Sequence, residues 1–313
     1  MDALIADIGG TNARFALIGA DGAVSQPLAL ACAEFPGPAE AAEAYLRKLG
    51  SAAQPRRAAF AVASPVTGDR IAMTNHPWSF SIADVERRLA LDRLTVVNDF
   101  VAVALAIPRL AAGDTVAVGD GQAVPDTPIA VLGPGTGLGV SALIPLGGGW
   151  RAIATEGGHV TMPATNDREA ALLAWLRSRF GHVSAERVLS GPGLVNLYQA
   201  ISALAGRQPE TAEPGEVVRR GRSGDPLAGE ALTLFFGMLG AVAGDIALTY
   251  GARGGVVIAG GIVPRLLPAL LQSDFRRRFE DKGRFDRYMR TIPVSVVVHP
   301  FPAFLGLQGL VTG

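Results

Sequence analysis

ADIGGTNARFAL at 6–17 and LGPGTGLGVSAL at 132–143 decide how this chain reads. Each runs from an apolar strand pattern into a Gly/Thr turn and then into a second run that alternates sides. The alternating residues are Ala13, Phe15 and Leu17 in one stretch, and Leu138, Val140 and Ala142 in the other. A period of two marks a strand with one buried face, so each stretch is expected to form a β-hairpin. A glycine-rich turn lets backbone N–H groups approach an anion closely, and a threonine hydroxyl adds one more donor. Two such hairpins in one chain predict a duplicated lobe gripping a polyphosphate from both sides. That points to a nucleotide-dependent enzyme with a cleft.

Outward from the first hairpin, strands are expected near 3–8, 13–18 and 24–31, the second pair joined across Asp21-Gly22, a strong hairpin signal. A helix near 38–49 follows, then strands at 57–63 and 93–97 and a helix at 99–107. Three strands followed by β/α alternation indicate a mixed sheet with helices against it. Around the second hairpin the scheme repeats, with strands at 115–118, 129–132 and 138–144. A mostly helical stretch from 167 to 251 comes next. A buried strand, Val256–Ala259, meets Gly260-Gly261 and a helix; Val294–Val298 supplies a late strand, and Pro300 and Pro302 precede a last helix near 303–311. The lobe boundary is expected near Pro108–Asp114.

With 313 residues, 49% of them hydrophobic and 18% charged, the chain can build two domains with a sizeable core. Its 28 basic and 28 acidic residues balance, which argues against nucleic acid or an anionic membrane as a general partner. One cysteine, Cys32, excludes an internal disulfide framework and a cysteine-cluster zinc site, and a reducing cytoplasm is the expected compartment. The apolar stretch near 227–252 is broken by Glu230 and Asp245. With small residues Gly237, Gly240, Ala241 and Gly244, it reads as a closely packed core helix.

Chemistry-bearing residues fall at strand ends. In Asp7-Ile8-Gly9-Gly10-Thr11-Asn12, Asp7 is placed to hold a water of magnesium and Thr11 a phosphate oxygen; an ordinary β-turn is the plain alternative. No GxxxxGK[ST] loop is present, since Lys48 and Lys282 are the only lysines, and no GxGxxG opens a helix after the first strand. Asn98-Asp99, in VVNDFVAVALAIP at 96–108, sits where a strand gives way to a helix, the usual place for reactive groups in open α/β sheets. The carboxylate there can accept a proton from an attacking hydroxyl, and the pair can equally cap the helix.

In ATEGGHV at 154–160, two glycines separate Glu156 from His159, so both side chains can turn into one space suited to a ligand rich in hydroxyls. It is not the H-E-x-x-H zinc pattern, and a hydrogen-bonded loop histidine fits as well. In GHVSAERVLSGPGL at 181–194, Ser184 is expected to cap a short helix with Glu186 in its first turn, favoured there by the helix dipole. His182, His76 and His299 read as structural or turn residues. Gly260-Gly261 offers backbone for a flat base or simply a tight connection, and Arg276–Arg278 reads as a solvated face.

Taken together, these motifs resemble the bacterial glucokinase family of the actin-like and hexokinase-like ATPase superfamily. The likeness covers essentially the whole length. It includes ADIGGTNAR at 6–14, GDRIAMTNHPWSFS at 68–81, VVNDFVAVALAIP at 96–108 and GPGTGLGV at 133–140. It continues through EGGHV at 156–160, GHVSAERVLSGPGLVNLY at 181–198, VVIAGGIVPR at 256–265 and FEDKGRF at 279–285. The resemblance implies an α/β, two-lobed, ribonuclease H-like fold with a duplicated mixed β-sheet core and a central cleft. It implies a small lobe over 1–110, joined by a C-terminal helix at 300–313, and a large lobe over 111–299.

By the same resemblance, Ala6, Asp7, Ile8, Gly9, Gly10 and Thr11 would form the first ATP phosphate loop and Gly135, Thr136 and Gly137 the second, with Gly260 and Gly261 beside the adenosine. Asn98 and Asp99 would contact the sugar, Asp99 as the base on its 6-hydroxyl. Glu156, His159 and Glu186 would bind the other hydroxyls. The implied reaction is ATP-dependent phosphorylation of D-glucose, with ATP and magnesium bound together and a homodimer as the working form. A kinase for another hexose and a silent sugar sensor are the competing readings. The related repressor, open-reading-frame and kinase group usually carries a cysteine-rich zinc motif after its acidic-Gly-His element. No cysteine follows Cys32 here, and the chain starts directly on the phosphate-loop strand. A DNA-binding repressor is therefore not expected.

Overall fold

The computed structural model describes residues 3–50 and 54–312; residues 1, 2, 51–53 and 313 of the expected lobes lie outside them. In chain order come β1 (Ala3–Ile8), β2 (Asn12–Ile18), β3 (Val24–Ala31), α1 (Pro38–Lys48), β4 (Arg57–Val62), β5 (Arg70–Ala72), β6 (Ser79–Ser81), α2 (Ile82–Arg88), β7 (Arg93–Asn98) and α3 (Asp99–Ala106). Then follow β8 (Thr115–Ala117), β9 (Ile129–Pro134), β10 (Leu138–Leu146), β11 (Gly149–Ala154), α4 (Asp167–Phe180), α5 (Gly191–Leu204), α6 (Pro214–Arg222) and α7 (Pro226–Tyr250). The chain closes with β12 (Gly255–Ile258), α8 (Leu267–Leu271), α9 (Phe275–Glu280), α10 (Asp286–Arg290), β13 (Val294–Val297) and α11 (Pro302–Thr312). The protein is mixed α/β, built on mixed sheets.

Two compact units divide the chain. One takes the described residues up to Ala112, Gly149–Ala154 and the described residues from His299; the other takes Gly113–Gly148 and Thr155–Val298.

In the first unit the sheet order is β3-β2-β1-β4-β7. β1 pairs antiparallel with β2, and β2 with β3, while β1, β4 and β7 run parallel. Strands covered on both faces read as continuous apolar runs, as ALIADI and RAAFAV do here. On one face Leu4, Ala6, Ile8, Phe15 and Phe60 pack with Tyr45 of α1, whose ring stacks on Phe15 at 5.4 Å. The last helix, α11, returns to this unit: Gln308 Nε2 donates to Gly22 O at 2.5 Å and Arg57 to Val311 O at 3.2 Å. The parallel rungs set Ile8, Val62 and Asn98 side by side. The turn after β1 and the start of α3 therefore share one sheet end.

In the second unit the strands run β10-β9-β12-β13-β8. β9 is antiparallel to β10 and parallel to β12, β12 is parallel to β13, and β8 closes antiparallel. Leu132 of β9 lies beside Ile258 of β12. That brings the turn after β9 and Ala259–Gly261 to a common end. The expected helical stretch from 167 to 251 is four helices separated by turns.

α7 starts at Asp225, whose Oδ1 accepts from Leu227 N (2.9 Å) and Ala228 N (3.1 Å), and ends on Gly251 in the left-handed region. By length and composition it is long and apolar enough to cross a membrane, yet 78% of its apolar window is buried within the protein. Its Asp245 is paired by Lys282 Nζ at 2.6 Å.

Several expectations need correcting. Arg276–Arg278 is not a solvated face throughout. Arg276 donates to Glu280, Ile292 O and Arg290 O, and Arg278 is largely buried against the fully buried Glu169 at 2.8 Å. The sequence reading also has no β5–β6 hairpin, α2 or β11. The first two strands are only three residues long each, and β11 is mostly exposed, so neither carries apolar alternation. After Gly260-Gly261 a 3-10 turn, Pro264–Leu266, intervenes before α8.

Candidate active site

In the first unit the candidate residues lie at the shared end of β1 and β7. Ala6 and Ile8 are buried in the strand, and Asp7 sits between them, half-buried, opposite Arg14 in the β1/β2 register. Arg14 and Asp7 pair at 3.5 Å. Burial pushes the Asp7 carboxyl above its usual range, against the pull of the Arg14 guanidinium. Gly9 N donates to Asn12 O at 3.0 Å, which closes the turn and leaves Gly10 and Thr11 at its tip, with Thr11 exposed. Cys32 backs the turn: its amide donates to Thr11 O at 2.9 Å, and its buried Sγ lies 3.5 Å from Gly9 O.

Asn98 ends β7 in extended conformation, and its Oδ1 accepts from Phe100 N (2.9 Å) and Val101 N (3.3 Å), so it caps α3. Its Nδ2 lies 3.4 Å from Ser64 O, two residues past the end of β4. Asp99 occupies the first turn of α3, with Oδ1 taking Phe100 N at 2.9 Å. Asn98 thus serves the helix while Asp99 carries an anion to the same sheet end as the Gly9–Asn12 turn.

In the second unit the candidate residues gather around the β9–β10 turn. Gly135 N donates to Gly137 O at 2.7 Å, and Thr136 is exposed at the tip. Gly260, at φ +84°, and the exposed Gly261 follow β12 at the same end, where Ile262 N reaches Pro134 O at 3.3 Å. The Glu156–His159 loop is anchored through Thr155, whose Oγ1 donates to Val140 O at 2.9 Å and accepts from Gly157 N at 3.2 Å. Glu156 Oε2 and His159 Nε2 lie 3.9 Å apart, and both side chains are more than half exposed, at 54% and 56%. A carboxylate that accepts and an imidazole that can donate or accept, side by side in one open space, suit a polyhydroxyl ligand.

The segment carrying Glu186 lies alongside this loop. Ala185 N donates to Val160 O and Glu186 N to Gly158 O, each at 2.9 Å, and Thr161 Oγ1 meets His182 Nε2 at 3.1 Å. His182 is structural in this sense. The expected short helix at Ser184 is a turn: Ser184 Oγ accepts from Arg187 N at 3.2 Å, and the helix begins only at Gly191, capped by Ser190. No helix dipole supports Glu186. Its Oε2 is held instead by Leu138 N at 2.8 Å.

A family model described as glucokinase matches residues 4–312. The chain belongs to the glucokinase family. The glucokinase of Paramagnetospirillum magneticum is 56% identical over 311 residues, which cover 99% of this chain and 97% of that protein. The crystal structure of a glucokinase from an Antarctic psychrotroph is similar with a TM-score of 0.87 at 36% identity, covering 100% of this chain and 99% of that one. A ROK-family glucokinase from Streptomyces griseus, crystallised with glucose and AMPPNP, shares the fold with a TM-score of 0.68 at 19% identity over 99% of each chain.

Beyond the residues that motif reading singled out, this glucokinase chain adds Arg14 beside Asp7 and the Leu138 amide beneath Glu186. Arg14 was legible, because across a tight hairpin Asp7 and Arg14 fall in register. The Leu138 contact was not, since 48 residues separate the partners.

Proposed function

We propose that this glucokinase-family chain transfers the γ-phosphoryl group of ATP to the 6-hydroxyl of D-glucose, with Asp99 as the general base. ATP:D-glucose 6-phosphotransfer is the activity that the family carries, and sequence identity of 56% over nearly the full chain supports it here. The observation that carries the role of Asp99 is its place: a carboxylate in the first turn of α3, at the same sheet end as the Gly9–Asn12 turn. There it can take the hydroxyl proton as the oxygen attacks.

Glu156, His159 and Glu186 are proposed to bind the remaining sugar hydroxyls, and Asn98 to present its amide while it caps α3. Thr11 with Gly9 and Gly10, and Thr136 with Gly135 and Gly137, are proposed to donate to the phosphates, and Gly260-Gly261 to lie against the base. The oxygen donors fit magnesium, which takes one or two carboxylates, water and substrate phosphates rather than a protein cage. Asp7 supplies such a carboxylate, and among the described residues no cluster of three metal-ligating side chains exists. Bound with ATP, the metal would neutralise charge on the phosphates.

A two-lobed, actin-like architecture with a duplicated core is supported by matching strand patterns. In β2-β1-β4-β7 and in β10-β9-β12-β13 an antiparallel hairpin is followed by two parallel strands. The family resemblance also supports a cytoplasmic protein that works as a homodimer; light scattering of the purified protein would test the dimer.

The deciding experiment measures ADP release from magnesium-ATP with glucose, mannose, fructose and N-acetylglucosamine, alongside Asp99→Ala. Turnover that requires glucose and vanishes in the variant is expected. Sugar binding without turnover on any of them would overturn the enzyme reading in favour of a sensor.

A further inference from the structure

Glu186 has more to do than its proposed sugar contact accounts for. The turn between β9 and β10 is gripped at both ends by one short segment, residues 186–191. At one end Gly191 N donates to Gly135 O at 2.8 Å; at the other, Leu138 N donates to Glu186 Oε2 at 2.8 Å. The carboxylate lies close against Gly137. A Cβ on Gly137 would stand 2.4 Å from Glu186 Oε2, so a side chain there would push the carboxylate off its present position.

The same residue is tied to the sugar loop through its backbone, Glu186 N donating to Gly158 O at 2.9 Å. Gly158 in turn lies flush on the first residue of β10: a Cβ there would sit 2.0 Å from Leu138 O. The nucleotide turn, the Glu156–His159 loop and the 186–191 segment are therefore laced into one piece of the second unit, with the Glu186 carboxylate at its centre.

We infer that Glu186 is a positioning residue for the nucleotide turn, holding Gly135–Leu138 in shape through the Leu138 amide whether or not sugar is bound. This rests on the proposed role of that turn in binding ATP phosphates. The carboxylate has two oxygens. Oε2 is committed to the turn, and Oε1 is the one offered to a sugar hydroxyl. A bond from a backbone amide to a charged acceptor is among the stronger protein hydrogen bonds, and its loss frees the end of the turn.

The test is calorimetric titration of magnesium-AMPPNP into sugar-free wild type, Glu186→Ala and Glu186→Gln. Glu186→Ala is expected to bind the nucleotide roughly tenfold more weakly, the scale of one charge-assisted hydrogen bond. Glu186→Gln keeps an oxygen acceptor for Leu138 N and is expected to stay within about twofold of wild type, while both variants bind glucose more weakly. If Glu186→Ala does not fold, Glu186→Asp takes its place, because a side chain one methylene shorter withdraws from Leu138 and the same nucleotide loss is expected.

Unchanged nucleotide affinity in Glu186→Ala or Glu186→Asp, with only glucose binding lost, would overturn the inference. So would a Gln variant as weak toward the nucleotide as the Ala variant. The nucleotide arm contains no sugar, so its outcome is separate from that of the assay in which wild type must turn over glucose.

Discussion

Asn98 and Asp99 each aim Oδ1 at the amide of Phe100, at 2.9 Å in both cases. Asn98 also takes Val101 N at 3.3 Å, so the start of α3 stays capped when Asp99 turns away to meet a proton. Two neighbouring residues can thus divide structure from chemistry. Asp99→Ala is expected to lower kcat by about 100-fold or more, as loss of a general base does, with little change in stability. Asn98→Ala is expected to cost about 1 kcal/mol of stability through the lost cap. Initial rates of ADP release, paired with urea unfolding of each variant, check both. Near wild-type kcat in Asp99→Ala would remove it as the base.

Glu156 lies on the open loop, its carboxylate beside the His159 ring at 3.9 Å, and it is proposed to hold sugar rather than phosphate, so its removal should read as a binding defect. Glu156→Ala is expected to raise KM for glucose roughly tenfold, the scale of one hydrogen bond to a charged group. Its kcat should stay within a few-fold. Equal losses of kcat in Glu156→Ala and Asp99→Ala would contradict the division of roles between them.

Much of this was legible in the residues themselves. The β1–β2 and β9–β10 hairpins follow from alternating apolar residues around glycine turns, and Asn98 announces a strand-to-helix junction by its capping chemistry. α2 carried a signal too: Ser81 stands three residues before Asp84 and accepts its amide at 3.2 Å. Glu186 was legible as a motif residue but misread in its setting. What holds it is a backbone amide remote in sequence, and a sequence pattern shows no such partner. Arg278 failed for the same reason. A basic residue in a run of arginines reads as exposed until its buried carboxylate partner is known.

That partner, Glu169, also accepts from Thr165 N and Thr165 Oγ1, each at 2.9 Å, while its other oxygen meets Arg278. Removing one member of a buried pair leaves an uncompensated charge, which costs more than the pair contributes. Arg278→Met is expected to lower stability by about 3 kcal/mol. Replacing both residues by apolar ones should cost less than the sum of the single changes. Urea unfolding midpoints of the two single variants and the double variant measure this; additive losses would show that the pair is not coupled.

Tyr45 sets an alkaline limit on stability. Its side chain is fully buried against Phe15, and its hydroxyl donates to Gln26 O at 2.9 Å. Burial pushes the phenol up to about 12 from an ordinary value of 10.0. The folded state therefore keeps its proton where the unfolded chain loses it. For an acid raised in the folded state, stability falls as pH rises through the window between the two values, here from 10.0 to about 12. Two units correspond to no more than about 3 kcal/mol lost across that window. Tyr45→Phe removes the titrating group and so should flatten the decline, although it forfeits the bond to Gln26 and starts from lower stability near neutrality. Urea unfolding of both proteins at pH 8, 10 and 11 tests this: the stability gap should narrow as the pH rises. A constant gap would mean that the phenol ionises alike in the folded and unfolded chain.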